Sequence, residues 1–490
     1  MKFVKWGTVV LSCLVVQSLS AQITIAGQRE LFVDDYLIES LHKVDNRLAT
    51  PVREEVSLKF DAPWEGVFSG AYVSVTFDGS MYRMYYRGID EKGGIKDQVT
   101  CCAESRDGIH WVKPAYNQFF FKNTYANNIV LLGDQLQASH NFSVIYDNNP
   151  AALSRERYKA VGGVASSVKR KMRGLYRYTS PDGIHWSIKD SIPLFPDGYG
   201  MDSQNVLAWL PEENLYAIYL RRWTEDKPGD TVLLKGVRTI ARSVSKDFIN
   251  WSKPEPMSFG ETEIEDLYTN ATQPYFRAPQ LSMAMPFRFS PNEVVLTPEK
   301  METLGIAKTM RTGISDAVLM TSRGGNSYQR KFLESFIRPG LNEKNWAARS
   351  NIPALGIVPT GKDSMSIYVT RAYGTNDCHM ERLSLRLDGF ASLHAGFDEG
   401  YAITRPVKLK GKEFLINYST STRGYVKVVL LDQKGKEIDG FTEEDAILIR
   451  GDQIDKAVTW KKKTMADLNG KTVRIKFILK DADLYSFAIF

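Results

Sequence analysis

Short runs in which apolar and polar side chains alternate recur along most of the chain. Tyr72–Phe77 and Met81–Tyr86 lie on either side of an Asp-Gly pair, which is a strong signal for a β-hairpin. Asn141–Tyr146, Leu215–Leu220 and Ser364–Val369 are similar runs, rich in β-branched and aromatic residues. This period of two predicts short antiparallel strands throughout, and hence an all-β protein.

A recurring phrase divides these strands into units. It reads Ser105-Arg-Asp-Gly-Ile-His-Trp111, then Ser180-Pro-Asp-Gly-Ile-His-Trp186, then Ser245-Lys-Asp-Phe-Ile-Asn-Trp251, with weaker copies around residues 324 and 388. A Ser-x-Asp-Gly turn followed by an aromatic can close a supersecondary unit, and its return every 64 to 77 residues is typical of a repeat architecture. Five β-rich units predict a five-bladed β-propeller with four antiparallel strands per blade.

The beginning of the chain differs from the repeats. Lys2 and Lys5 precede an apolar run that ends at Val16, and a small-residue segment then leads to Ala21. This pattern is typical of a secretory signal peptide over residues 1–21, with a lipoprotein signal at Cys13 as the alternative. The apolar run is too short to cross a bilayer, and no other segment is a transmembrane candidate. We therefore expect an exported protein, periplasmic or secreted.

The end of the chain also departs from the repeat. The aspartate phrase stops near residue 400, and shorter strands such as Val473–Leu479 take over. We expect two domains, the propeller over residues 22–399 and a small β-sandwich over residues 400–490. Glu30–Ile38 is strand-like and precedes the first blade, so we expect it to pair beside the last blade and close the ring.

Composition excludes several classes of function. The 63 basic and 57 acidic residues give a net charge of +6, and the export signal argues against a nucleic-acid partner. No glycine-rich phosphate loop, His-x-x-x-His pair or Cys-x-x-Cys pair occurs, so neither nucleotide chemistry nor a structural zinc is expected. Cys101, Cys102 and Cys378 do not suggest a disulfide scaffold. We expect no cofactor, leave open a structural cation on the propeller axis, and find no indication of the oligomeric state.

The repeated phrase carries a family resemblance. Ser245-Lys-Asp-Phe-Ile-Asn-Trp251 resembles the Ser-x-Asp-Leu-x-x-Trp phrase of the five-bladed propeller glycosidases, the invertase-like and arabinanase-like families. The invertase-like enzymes also carry a C-terminal β-sandwich. The resemblance implies an exported glycoside hydrolase that acts on a plant or algal poly- or oligosaccharide, with carboxylates as acid and base in the propeller funnel. The alternative is a carbohydrate-binding propeller that has lost catalysis.

Glycoside hydrolysis needs two carboxyl groups that face each other across a sugar, and in a propeller these lie at the heads of the innermost strands. Asp202 directly precedes the apolar strand at Val206. The resemblance implies a catalytic acid in the fourth blade, where Glu265 and Asp266 are equivalent choices. The first blade lacks the aspartate of those families, and Glu65, or Asp34 or Asp35 from the N-terminal strand, could replace it.

Polar residues at the same strand heads are candidates for binding substrate. Arg277 could bind a sugar oxygen or carboxylate, or could pair with an acid of the protein. The full set of substrate-binding candidates is Tyr72, His140, Asn141, Gln204, Asn205, Asn270, Arg277 and Arg349.

Overall fold

The computed structural model describes residues 22–89, 98–133, 141–163, 174–196, 202–225 and 236–490. The predicted five-bladed propeller is confirmed: five antiparallel sheets follow one another along the chain. From the axis outward, the strands of the first blade are Ser74–Phe77, Tyr82–Gly88, Val99–Ser105 and Ile129–Leu132. Those of the second blade are Ser143–Tyr146, Tyr158–Gly162, Gly174–Ser180 and Ser187–Ile188, and Phe195–Pro196 also pairs with the third of them. Those of the third blade are Val206–Leu210, Leu215–Trp223, Arg238–Ser245 and Glu255–Pro256.

The fourth blade is interrupted by an insertion. Its sheet holds Gln273–Tyr275, Ala278–Ala284 and Met320–Ser322. Between the last two strands the chain forms a separate hairpin, Phe287–Ser290 with Ile314–Ala317. The helical segments within the described residues are short: the α-helix Pro298–Thr303 in this insertion, and the 3₁₀ turns Ser154–Glu156, Lys308–Met310, Glu343–Trp346 and Met465–Leu468.

The fifth blade is completed by a strand from the beginning of the chain. Its inner strands Ile352–Pro353 and Val358–Pro359 both pair with Ser364–Arg371, which pairs with His379–Arg386. The outermost strand is Val52–Lys59, antiparallel to His379–Arg386. The ring is therefore closed by a strand that precedes the first blade.

The prediction that Glu30–Ile38 closes the ring was wrong. Gln28–Leu31 pairs instead with the last strand of the chain, Gln28 opposite Ile489. The physical reason is charge: the buried carboxylates of Glu30 and Asp34 both accept hydrogen bonds from Arg323, in the turn after the fourth blade. This ion pairing holds the segment against the fourth blade, away from the edge of the fifth.

The C-terminal domain consists of ten strands in one hydrogen-bonded network around a single apolar core. Four of its strands come from residues 23–48, within the range predicted for the propeller. The buried positions Val473, Ile475 and Phe477 alternate with the less buried Thr472, Arg474 and Lys476, as the period of two predicts, but the alternation ends at Ile478, which is buried like Leu479. The ten strands are Ile23–Ala26, Gln28–Leu31, Ile38–His42, Asp45–Leu48, Ala391–Ala395, Gly400–Thr404, Val407–Lys410, Phe414–Leu431, Asp452–Ala457 and Thr472–Ile489.

The repeated phrase forms the same turn in the first three blades. Each aspartate Oδ1 accepts the backbone N–H groups of the residues two and three positions later, at 2.7–2.9 Å. Burial opposes ionisation of Asp182, but the hydrogen bonds from the His185 and Ile184 backbones outweigh it and lower the pKa to about 2. The turn needs a positive φ at the fourth residue of the phrase, which glycine supplies twice and Phe248 (φ 63°) once.

These turns also join neighbouring blades. The Gly183 carbonyl accepts a hydrogen bond from the Tyr85 hydroxyl of the preceding blade at 3.0 Å, and Tyr368 of the fifth blade bonds the Gly108 carbonyl of the first. The Trp186 ring packs edge-on against Tyr85, with ring centroids 5.9 Å apart. The phrase therefore supplies contacts between blades as well as the turn within one. No described helix is long and apolar enough to span a membrane.

Candidate active site

A funnel opens at the end of the propeller where the innermost strands begin. It is a cavity of about 340 Å³. Its wall includes aromatic rings, two arginines and one carboxylate. The lining residues are Phe68, Ala71, Tyr72, Arg87, Ile89, Gln98, Asp202, Tyr268, Thr309, Met310, Arg349, Ile352 and Tyr373.

Left-handed backbone positions lead into four of the five innermost strands. They are Tyr72 (φ 62°), Asn141 (φ 54°), Ala271 (φ 44°) and Asn351 (φ 66°). Asparagine adopts this region readily, whereas a bulky side chain at Tyr72 costs energy that the surrounding fold must supply. Strained non-glycine positions of this kind cluster at functional sites, which is consistent with the strand heads forming one.

Asp202 is the carboxylate of the funnel. Its side chain is exposed to the cavity, and the buried Asn141 amide donates a hydrogen bond to its Oδ1 at 3.1 Å. Among the described lining residues no other carboxylate is present. The amide fixes one oxygen of Asp202 and thereby orients the other.

Three tyrosines line the same cavity as Asp202, namely Tyr72, Tyr268 and Tyr373. Burial, together with the nearby Tyr268 and the negative charge of Asp202, raises the pKa of Tyr72 well above its usual value. Burial also raises the pKa of Tyr373. Both hydroxyls therefore stay protonated at neutral pH and can donate hydrogen bonds to a ligand.

Two arginines complete the wall. Arg87 donates from Nη2 to the Phe68 carbonyl at 2.8 Å and to the Tyr373 hydroxyl at 2.9 Å. The Arg349 guanidinium carbon lies 5.4 Å from the centroid of the Tyr268 ring. Sequence reasoning missed Arg87, Tyr268 and Tyr373. Arg87 and Tyr373 lie at the ends of second strands, and in an antiparallel pair that end adjoins the head of the first strand. This rule could have found both residues.

The structure does not bring Glu265 and Asp266 to the funnel. Glu265 forms an ion pair with Arg288 at 2.9 Å, and Asp266 forms one with Arg238 at 2.8 Å. They line a different cavity of about 870 Å³, together with Asp316. Burial raises the pKa of Asp266, opposed by the charge of Arg238. The predicted carboxyl pair across the funnel from Asp202 is therefore not assembled from these residues.

Glu65 and Asp35 also lie elsewhere. The Glu65 side chain is buried and accepts hydrogen bonds from the Tyr86 hydroxyl and from Lys113, each at 2.6 Å. These contacts make it a structural carboxylate at the entrance to the first blade. The Asp35 side chain is 69 % exposed and pairs with Lys331 on the surface.

Of the predicted binding residues, Tyr72, Asn141 and Arg349 lie at the funnel. Gln204 donates to the Val73 carbonyl of the first blade at 3.0 Å, which ties two innermost strands together near the axis.

Three other predicted binding residues contact groups of the protein itself. Asn205 donates to the Ser203 carbonyl, and Asn270 donates to the Tyr219 carbonyl. Arg277 pairs with Asp388 and Asp455 at the border of the C-terminal domain. His140 lies outside the described residues.

Metal binding has no support within the described ranges, where no group of three or more His, Cys, Asp or Glu side chains could hold an ion.

Comparisons with known proteins give structural neighbours only. No family model and no curated protein matches the chain. A solved glycoside hydrolase is similar with a TM-score of 0.46 at 11% identity, covering 69% of this chain and 92% of its own. An N-acetylgalactosamine deacetylase from F. plautii has a TM-score of 0.45 at 11% identity, over 70% and 96% of the two chains. A family 43 arabinoxylan arabinofuranohydrolase from Bacillus subtilis has a TM-score of 0.41 at 10% identity, over 90% and 99%. These similarities concern the course of the backbone, so function has to be inferred from the side chains of the funnel.

Proposed function

We propose that this protein is an exported glycoside hydrolase that binds its saccharide in the funnel and uses Asp202 for proton transfer. The observation that supports it most directly is the position of Asp202. It is exposed to the cavity, is oriented by Asn141, and is the one carboxylate among the described residues of the wall.

The other wall residues suit a sugar. The Tyr72 and Tyr373 hydroxyls, which raised pKa values keep protonated, can donate to sugar oxygens. Aromatic surface at Phe68 and Tyr268 offers apolar area to the faces of a sugar ring. Asp202 would exchange a proton with the glycosidic oxygen or with an attacking water, a contribution worth about 10²- to 10⁴-fold in rate.

One observation favours a second candidate function. Most glycosidases use two carboxyl groups, and the described funnel wall holds one. A carbohydrate-binding protein without catalysis needs only the aromatic and hydrogen-bonding wall. The two functions differ in whether wild-type protein releases product.

The test is release of reducing sugar from a panel of plant and algal glycans. Asp202→Asn should lower the rate on an identified substrate by about 10²- to 10⁴-fold while glycan binding persists. Asp35→Asn, a surface variant far from the funnel, should keep wild-type activity. Full activity of Asp202→Asn would overturn the assignment. Binding by wild type without product would instead favour the carbohydrate-binding protein.

A further inference from the structure

Two arginines, Arg87 and Arg349, face the funnel and are partly exposed to it. Neither Arg87 nor Arg349 has a carboxylate oxygen within 4.0 Å among the described residues. Well-buried arginines in other parts of the blades are paired with acids, such as Arg371 with Glu381, Arg242 with Glu213, and Arg177 with Asp190.

The direct contacts of the two guanidinium groups are with neutral groups, although the negative charge of Asp202 also acts on Arg349. Arg87 binds a backbone carbonyl and the Tyr373 hydroxyl, and its guanidinium carbon lies 5.8 Å from the Tyr72 ring centroid. The Nε atom of Arg349 is buried and has no hydrogen-bond partner among the described residues. Arg242 and Arg277 also have an unpartnered Nε, but their terminal N–H groups bind acids, whereas no described residue accepts a hydrogen bond from the terminal N–H groups of Arg349. A charged donor without a protein acceptor in a cavity wall can be satisfied by a ligand.

The charges of the described wall do not balance. Two guanidinium groups face one carboxylate, Asp202, which leaves the described part of the wall with one excess positive charge. A planar guanidinium offers two parallel N–H groups, and a carboxylate accepts both. A ligand that carries a carboxylate would therefore accept hydrogen bonds from the terminal N–H groups of Arg349 and balance the excess charge of the described wall.

We propose that the saccharide bound in this funnel is acidic, with a uronic acid residue whose carboxylate binds Arg349 and is attracted by Arg87. This rests on the proposed function only in that the funnel binds carbohydrate. Asp202 is oriented by Asn141 and its charge also acts on Arg349, so it would repel the carboxylate of the sugar and oppose part of this attraction.

Direct binding measurements on the full protein test this. Calorimetric titrations use galacturonate and glucuronate as acidic probes, galactose and glucose as neutral ones, and galactose 6-sulfate as a second anion. Wild type should bind the uronates about 10- to 100-fold more tightly than the neutral sugars, as expected for charge-assisted hydrogen bonds. Asp202→Asn should tighten uronate binding further, because it removes a negative charge.

The variants separate charge from shape. Arg349→Gln should reduce the preference for uronates over neutral sugars to less than about threefold. Arg87→Gln should also reduce this preference, by a smaller factor. Arg349→Lys keeps the charge but loses the paired donors, so it should fall between Arg349→Gln and wild type. Arg450→Gln, in the C-terminal domain, is the control and should match wild type. Circular dichroism checks that each variant is folded.

Equal binding of neutral and acidic sugars by wild type would overturn the inference, as would a preference that survives in folded Arg349→Gln and Arg87→Gln. Tighter binding of galactose 6-sulfate than of galacturonate would assign the arginines to a sulfate ester. If cleavage of neutral glycosides required inorganic phosphate, the two arginines would bind phosphate as a co-substrate, and the inference of an acidic sugar would be wrong. Cleavage of neutral glycans without uronate preference would leave the proposed function intact. Uronate preference without cleavage would leave this inference intact.

Discussion

Asp388 offers the sharpest test of how the two domains are held together. Its carboxylate is fully buried and lies between the fourth blade and the C-terminal domain. It pairs with Arg29 at 3.3 Å and with Arg277 at 3.0 Å. It also accepts hydrogen bonds from Tyr275 at 2.9 Å, Asn417 at 3.0 Å and Ser486 at 2.7 Å.

The Asp388→Asn substitution keeps the shape and removes the charge. Removing one partner from a buried ion pair costs about 3–5 kcal/mol, because the remaining charge stays buried. Arg29 and Arg277 both keep Asp455, whose side chain is 43 % exposed. This remaining partner places the expected loss at the lower end, about 3 kcal/mol of unfolding free energy.

Urea unfolding followed by tryptophan fluorescence measures the loss. The matched control is Asp398→Asn, whose side chain is 81 % exposed and pairs with Lys43 at 3.6 Å, so it should change stability by less than about 0.5 kcal/mol. A loss below about 1 kcal/mol in Asp388→Asn would refute the view that this carboxylate balances the two buried arginines.

Two further predictions concern carboxylates outside the funnel. Glu65→Gln should destabilise the protein by about 2 kcal/mol, because the buried carboxylate accepts from Tyr86 and Lys113; an unchanged thermal midpoint would contradict its structural role. The depressed pKa of Asp182, about 2, means that its stabilising effect is fully present above the unfolded value of about 3.9 and is lost as the pH falls through about 2. The urea midpoint of Asp182→Asn should therefore fall less than that of wild type between pH 5 and pH 2, and parallel curves would exclude this linkage.

The repeat could be predicted from the sequence because its signal is local. Within seven residues the phrase specifies an aspartate cap, a positive φ and a packed tryptophan, and each is present in the structure. The pairing of Gln28–Leu31 could not be predicted in this way. Its partner lies at Ser486–Ile489, and the choice depends on Arg323, which no local pattern connects to Glu30.

The candidate site could likewise be predicted in part. Asp202, Tyr72, Asn141 and Arg349 lie just before innermost strands and are at the funnel, whereas Gln204 and Asn205 have similar positions but bond backbone carbonyls instead. Glu265 also precedes the innermost strand of its blade, but by several residues, and the structure places it in a different cavity. Its partners Arg288 and Arg330 come from the insertion of the fourth blade and the segment after it, whose placement depends on tertiary packing.

The pairing of the two ends of the chain has a consequence for biosynthesis. Val52–Lys59 finds its partner only at His379–Arg386, and Gln28–Leu31 only at Ser486–Ile489. A chain that emerges from the ribosome N-terminus first therefore leaves Val52–Lys59 unpaired until His379–Arg386 has been made, and Gln28–Leu31 unpaired until Ser486–Ile489 has been made. The fifth blade can thus be completed while the C-terminal domain still waits for its last strand, although the segment that this strand pairs with was made before any blade.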